Sequence, residues 1–219
     1  MAASARAFVL RHTRLRPVPG SDSIRLHLAD EVLPLWHAVQ VASHDPEAPL
    51  PYWAFAWAGG LALSRFLAER PEAVAGARVF DLASGSGLCA IAAVRSGASR
   101  VTANDVDPLA AAAIGLNARA NGCRVAVVTR DVLDDPLAPD ADVVLAGDCW
   151  YEAGLAGRVL PWLQRATAAG ARVLVGDPGR RYLPIDDLEE LAVYEVRTTT
   201  ELEDLALKSG RVFRLRAVT

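Results

Sequence analysis

From Ala77 to Val175 short apolar runs alternate with helix-forming runs, and this alternation constrains the fold more than any other feature of the chain. Arg78–Asp81, Arg100–Ala103, Arg124–Thr129, Asp142–Ala146 and Ala171–Val175 read as strands; Leu88–Arg95, Pro108–Ala120 and Leu155–Ala169 read as helices between them. Near-continuous apolar strands joined by helices belong in a parallel sheet covered on both faces. The tail breaks the rhythm. Ala192–Thr199 and Val212–Ala217 are strand-like but are joined by the acidic Glu201-Leu-Glu-Asp204, with no crossover helix. An antiparallel hairpin closing one sheet edge is the economical arrangement. The expected fold is therefore α/β: a doubly wound, mostly parallel, seven-stranded sheet with a C-terminal hairpin. Ligands in such sheets bind at the carboxyl ends of the strands.

The first fifty residues have a different pattern. Ser23–Gln40 places Ile24, Leu28, Val32, Leu35 and Val39 at spacings of three and four, which predicts an amphipathic helix with Pro34 as a kink. Residues 1–20 carry Arg6, Arg11, Arg14 and Arg16 with no acid before Asp22, a composition that transit peptides share. Phe8-Val9-Leu10 is a short apolar segment, so a basic first strand or arm is the expected form. Ser43–Pro51 holds three prolines and reads as a linker, and a further helix is expected from near Trp53 to before Pro71. At 219 residues the chain is expected to form one domain, with 1–50 a helical extension and 51–219 the cofactor-binding core.

Composition narrows the function. The net charge of −3 argues against a nucleic-acid-binding surface. Lys208 is the only lysine among 23 basic residues, which excludes a Walker A lysine and leaves one place for a Schiff base. This arginine-rich, lysine-poor usage suggests a high-GC bacterial source. Cys89, Cys123 and Cys149 are odd in number and form no C-x-x-C, and the four histidines all precede residue 45 at irregular spacing. Neither a disulfide framework nor a metal site is expected, and the location that fits is cytoplasmic. No apolar run of ~18 residues predicts a membrane span.

The chemistry concentrates in Asp81-Leu-Ala-Ser-Gly85-Ser-Gly87-Leu-Cys-Ala90, between a strand and a helix. Glycines there let the backbone turn tightly and approach a ligand that faces the helix N-terminus. Gly85-x-Gly87-x-x-Ala90 fits a dinucleotide by letter, and Asp105 stands twenty residues after Gly85, where a ribose-binding acid belongs. Asp81 decides between cofactors: a carboxylate at the mouth of this loop repels a diphosphate and attracts the ammonium and sulfonium of S-adenosylmethionine. Asp131, after the third strand, completes a row of three strand-end acids suited to a cationic, amine-bearing ligand. Asp107 before Pro108 reads as a helix cap.

These residues resemble the class I, seven-β-strand S-adenosylmethionine-dependent methyltransferases, whose sheet is Rossmann-like. The narrower resemblance is to the protein-lysine methyltransferases that modify the electron transfer flavoprotein β subunit. It rests on Pro51-Tyr-Trp-Ala-Phe-Ala-Trp57-Ala-Gly-Gly60, Asn104-Asp-Val-Asp-Pro108, Gly147-Asp148-Cys-Trp-Tyr151-Glu and Gly176-Asp-Pro-Gly-Arg180. Ala83 departs from the pattern, since that family's loop usually begins with glycine there. The resemblance implies that Trp57 and Gly60 line the cofactor pocket. It implies that Asp81, Ala83, Gly85 and Gly87 hold the methionine moiety, Asp105 the ribose and Asp131 the adenine. Asp148 and Tyr151 match an acid-x-x-aromatic motif beside the acceptor amine.

On this reading Asp148 captures the substrate ammonium, Tyr151 and Trp150 wall the channel, and Arg180 meets the substrate protein from the rim. The expected partner is that flavoprotein subunit, and the expected state is a monomer. Other acceptors for the same chemistry are ribosomal protein L11 or a small molecule. A nucleic-acid methyltransferase would carry prolines after the fourth strand, which Asp148-Cys-Trp-Tyr151 lacks. A nicotinamide-dependent oxidoreductase is opposed by Asp81, and a non-catalytic binding module by the intact acid row.

Overall fold

The computed structural model describes residues 2–136, 139–198 and 207–217; the acidic 201–204 run lies outside them. The chain opens on helix α1 (Ala2–His12), an antiparallel hairpin of β1 (Arg14–Val18) and β2 (Ser21–Leu28), and helix α2 (Val32–Ser43). Two expectations are corrected here. Phe8-Val9-Leu10 lies in a helix instead of a strand, and Ser23–Leu28 lies in a strand instead of a helix. The extension is thus helix, hairpin and helix. The physical reason is a second period: Ile24, Leu26 and Leu28 alternate, and Ile24 and Leu26 are both buried, which a half-buried strand allows.

The remaining elements follow the predicted order. A single 3₁₀ turn (Tyr52–Ala54) leads to α3 (Ala58–Glu69), then β3 (Arg78–Leu82), α4 (Leu88–Arg95), β4 (Arg100–Asn104), α5 (Pro108–Ala120) and β5 (Ala126–Val128). The second half runs β6 (Val143–Gly147), α6 (Ala153–Ala168), β7 (Arg172–Asp177), β8 (Leu188–Arg197) and β9 (Leu207–Leu215). The sheet order is β5-β4-β3-β6-β7-β9-β8, with the first five strands parallel and β9 antiparallel to both β7 and β8.

Successive residues of each strand feed opposite faces, as the pleat requires. Val79, Val101, Val143, Leu145 and Leu174 pack with α3, α4 and Ile114 of α5. Phe80, Leu82, Val144, Val173 and Val175 pack with Val159, Trp162 and Leu163 of α6 on the other face. A third cluster joins Val9, Leu35 and Val39 of the extension to Trp53, Phe55 and the outer side of α5. Asp107 caps α5 through the Leu109 N–H at 2.7 Å, with Pro108 at the first helical position, a cap of about 1 kcal/mol.

Candidate active site

The β3–α4 turn forms the floor. Gly85 and Gly87 adopt left-handed φ of +54° and +82°, and a side chain on Gly87 would press against Ile114 at 3.4 Å. Ala83 also takes a left-handed φ, +49°. The departure from glycine therefore keeps the turn, at a strain of about 1–2 kcal/mol. Asp81 is buried beneath this turn, accepting the Ala90 N–H at 3.0 Å and the Ser84 hydroxyl. Burial pushes its pKa up to about 7. Asp105, at the end of β4, accepts the Gly85 N–H at 2.8 Å and the Asp107 N–H at 3.0 Å, and burial raises it as well. The glycine turn and Asp105 are thus one hydrogen-bonded unit.

The opposite wall is built where β6, β7 and α3 meet. Gly59 and Gly176 touch backbone to backbone: a Cβ on Gly59 would lie 2.2 Å from the Gly176 carbonyl oxygen. This contact brings the N-terminus of α3 over the carboxyl ends of β6 and β7. Asp148, at φ +59°, aims its carboxylate into that helix end, accepting the Gly59 N–H at 3.0 Å and the Gly60 N–H at 2.7 Å. Those are two of the donors that a helix start leaves without intrahelical partners. Arg180 pairs with the same carboxylate and, at 3.2 Å, with buried Asp177. Burial pushes Asp148 up to about 6, against the pull of the Arg180 guanidinium.

Aromatic rings form the rim. Tyr52 and Tyr151 face each other with centroids 4.9 Å apart, Tyr52 and Trp57 lie at 5.7 Å, and the Trp57 indole N–H donates to the Tyr52 carbonyl at 2.9 Å. The Arg180 guanidinium sits 6.0 Å from the Trp57 ring centre. Floor, wall and rim enclose a cavity of about 590 Å³. It opens at the carboxyl edge of the parallel strands.

Trp57, Gly60, Asp81, Ala83, Gly85, Asp105, Asp131, Asp148, Tyr151 and Arg180 all border this space, whereas Gly87 does not and is packed toward Ile114 of α5. Asp131 lies beyond β5, its carboxylate on the Leu133 N–H at 2.9 Å and on Arg158 at 2.8 Å. Three expectations change. Trp150 does not wall the channel: it is not on the cavity but buried within the cluster that packs α6 on the sheet, where apolar burial of its ring outweighs exposure to the site. Arg180 is not a surface rim residue, since its guanidinium turns inward to Asp148. Asp148 is not an open carboxylate awaiting an ammonium but is already organised by a helix end and an arginine.

Sequence reasoning missed Tyr52, Asn104 and Lys208, all on the cavity. Tyr52 stood inside a quoted motif without a role. Asn104 is buried and ties the ends of β4 and β5 together through the Val128 and Arg130 carbonyls, both at 2.9 Å. Lys208 carried the signal of being unique.

The donor set fits S-adenosylmethionine. Five carboxylates, those of Asp81, Asp105, Asp107, Asp131 and Asp148, border a cavity whose remaining lining is largely apolar, the glycine turn admits close backbone approach, and among the described residues no basic side chain lies at the turn to cradle a diphosphate. Residues 64–147 match the ribosomal protein L11 methyltransferase (PrmA) family. The electron transfer flavoprotein beta subunit lysine methyltransferase of Xenopus laevis is 37% identical over 217 residues, covering 97% of this chain and 87% of that protein. The rat protein of the same name is 41% identical over 169 residues, covering 74% of this chain and 66% of the relative. Among solved structures, the N-methyltransferase NodS from Bradyrhizobium japonicum, in complex with S-adenosyl-L-homocysteine, aligns with a TM-score of 0.52 at 14% identity, covering 71% of this chain and 86% of that one. This last likeness supports the fold alone.

Proposed function

The chain belongs to the electron transfer flavoprotein β-subunit lysine methyltransferase family, and we propose that its S-adenosylmethionine-dependent transfer is directed to lysine side chains of that flavoprotein subunit. The carrying observation is the convergence of Asp81, Asp105 and Asp148 on one cavity with an aromatic mouth. Buried carboxylates attract cations, and aromatic faces add to that attraction for an ammonium. The matched L11 methyltransferase segment runs from α3 to the end of β6. That is the cofactor-binding half, so it carries no information on the acceptor.

When bound, the cofactor supplies an electrophilic methyl group on a sulfonium. The chain's residues do the rest. Asp81 and Gly85, with the α3 end, would hold the amino-acid part, Asp105 the ribose and Asp131 the adenine, while Gly87 shapes the turn from behind. A free lysine has pKa ≈ 10.4, so presenting its neutral amine at pH 7 costs roughly 4.6 kcal/mol. Asp148 does not lower that cost, because a carboxylate favours the ammonium. Its work is positional: it fixes the start of α3 and Arg180, and these set the walls along which Tyr52, Tyr151 and Trp57 guide the acceptor. Asp81 and Asp148, the cavity carboxylates that burial raises most, are taken up by backbone N–H groups and, for Asp148, by Arg180, so alignment and exclusion of water supply the rate and the proton leaves to solvent. The lysine-poor composition supports a bacterial source, and the odd number of scattered cysteines a cytoplasmic site of action.

The test is transfer of labelled methyl groups to the purified flavoprotein subunit, with lysines mapped by mass spectrometry. Labelled lysines on that subunit are expected. Binding of S-adenosylhomocysteine without transfer to it, together with labelling of a different protein in a cell extract, would move the acceptor elsewhere.

A further inference from the structure

The chain's only lysine stands on the cavity, beside the start of α3. Three placements put it there. In the pairing of β7 with β9, Asp177 lies opposite Arg211, so Leu207–Gly210 overhangs the carboxyl end of β7, where ligands sit in such sheets. Gly210 faces the first turn of α3, with room for no side chain: a Cβ there would lie 2.7 Å from the Ala58 carbonyl oxygen and 2.8 Å from the Ala62 Cβ. Residues two apart on a strand share a face. Lys208 therefore projects on the α3 side, beyond the helix end that holds Asp148, and its side chain borders the same cavity as Asp148, Tyr151 and Arg180.

We propose that Lys208 is a self-methylation site, modified by the chain's own active site and competing with the external acceptor for it. This rests on the methyltransferase reading above. The neutral amine of Lys208 forms a bond to the methyl carbon, the carbon–sulfur bond breaks with its electron pair staying on sulfur, and the proton shed by the ammonium goes to water. The products are methyl-Lys208 and S-adenosylhomocysteine. Tethering on a strand beside the cavity makes the step intramolecular, and a positioned group of this kind needs no binding equilibrium.

Because no other lysine exists in the chain, the experiment reads one residue. Purified enzyme is incubated with methyl-labelled cofactor at several enzyme concentrations, with and without the flavoprotein subunit, and analysed by peptide mapping. The expected result is methyl groups on Lys208 at a fractional rate independent of enzyme concentration, slowed by saturating acceptor and absent in Lys208→Arg. A second readout needs no turnover: acetylation of Lys208 by acetic anhydride should slow severalfold when S-adenosylhomocysteine fills the cavity. An unmodified Lys208 in an enzyme that methylates its acceptor overturns the inference and leaves the function standing. Label on the terminal amine instead, or acetylation indifferent to S-adenosylhomocysteine, also overturns it. No label on either protein overturns the proposed function and this inference together.

Discussion

Asp81 and Asp148 show how far burial can raise a carboxylate even when backbone N–H groups, a hydroxyl and an arginine donate to it. Asp81 is raised from 3.8 to about 7, so the folded chain binds its proton more tightly than the unfolded chain. That contribution to stability is fully present below about pH 4 and is lost as pH rises through about 7, amounting to about 4 kcal/mol for so buried a group. Cofactor binding has the opposite sign, because a cationic ligand selects the ionised form. Affinity for S-adenosylhomocysteine, whose ammonium is retained, should therefore fall as pH drops from about 8 to about 6, approaching tenfold per unit below the free pKa. Calorimetry in buffers of different ionisation enthalpy should show proton release on binding. A flat profile would remove Asp81 from the cation site. Asp148→Ala leaves the Gly59 and Gly60 N–H groups without an acceptor while Arg180 keeps Asp177, and unpaired buried donors of this kind cost about 1–3 kcal/mol each. Urea unfolding should register a loss in that range, and transfer activity should disappear with it. The strand-end positions of Asp81 and Asp105 were legible because a Gly-rich turn follows one and a Pro-capped helix the other. The partners of Asp148 were not, since Gly59 lies 89 residues away in sequence and a strand-end acid carries no mark of the helix it will meet.

At the scale of elements, the site depends on how closely α3 lies on β7. Gly59→Ala would drive a methyl group to 2.2 Å from the Gly176 carbonyl, and a backbone neighbour cannot rotate away. The helix start must lift, and overpacking typically costs about 1–3 kcal/mol. The larger effect is functional, because the displaced Gly59 and Gly60 N–H groups no longer hold Asp148. Activity should fall far more than stability, whereas Gly157→Ala, with open space on the exposed side of α6, should leave activity unchanged and raise stability by about 0.5–1 kcal/mol; equal losses of activity in Gly59→Ala and Gly157→Ala would overturn the role of the α3 contact. Element identity from β3 onward was legible because helix and strand periods do not overlap there. In Ser23–Leu28 they do: Ile24 and Leu28 satisfy both a four-residue and a two-residue spacing, and only Leu26, fully buried, separates them. Tertiary pairing with β1 made the choice that local pattern left open.

Across the whole molecule, the N-terminal extension and the cofactor loop are joined by one side chain. Asn117, fully buried on α5, accepts the His27 N–H of β2 at 2.7 Å and donates to the Ser86 carbonyl of the glycine turn at 2.8 Å. Removing it leaves a buried donor and a buried acceptor unpaired, at about 1–3 kcal/mol each. Asn121, one turn along, also binds the hairpin, through Arg25 N–H at 3.0 Å and the Arg25 carbonyl at 2.6 Å, but it does not touch the turn. The two positions therefore separate cover docking from loop support. Asn117→Ala should lower both the unfolding free energy and the affinity for S-adenosylhomocysteine. Asn121→Ala should lower stability by less, because its bonds are exposed to water, and should leave affinity unchanged. Paired denaturant titration and calorimetry on the two variants make the comparison. If affinity is unaffected in Asn117→Ala, the extension covers the core without bracing its cofactor turn, and the hairpin's contribution is confined to burying the outer side of α5. If affinity falls in step with Asn117 alone, the cover and the turn act as one unit, and substitutions along β2 should reach the cofactor through α5 without contacting it.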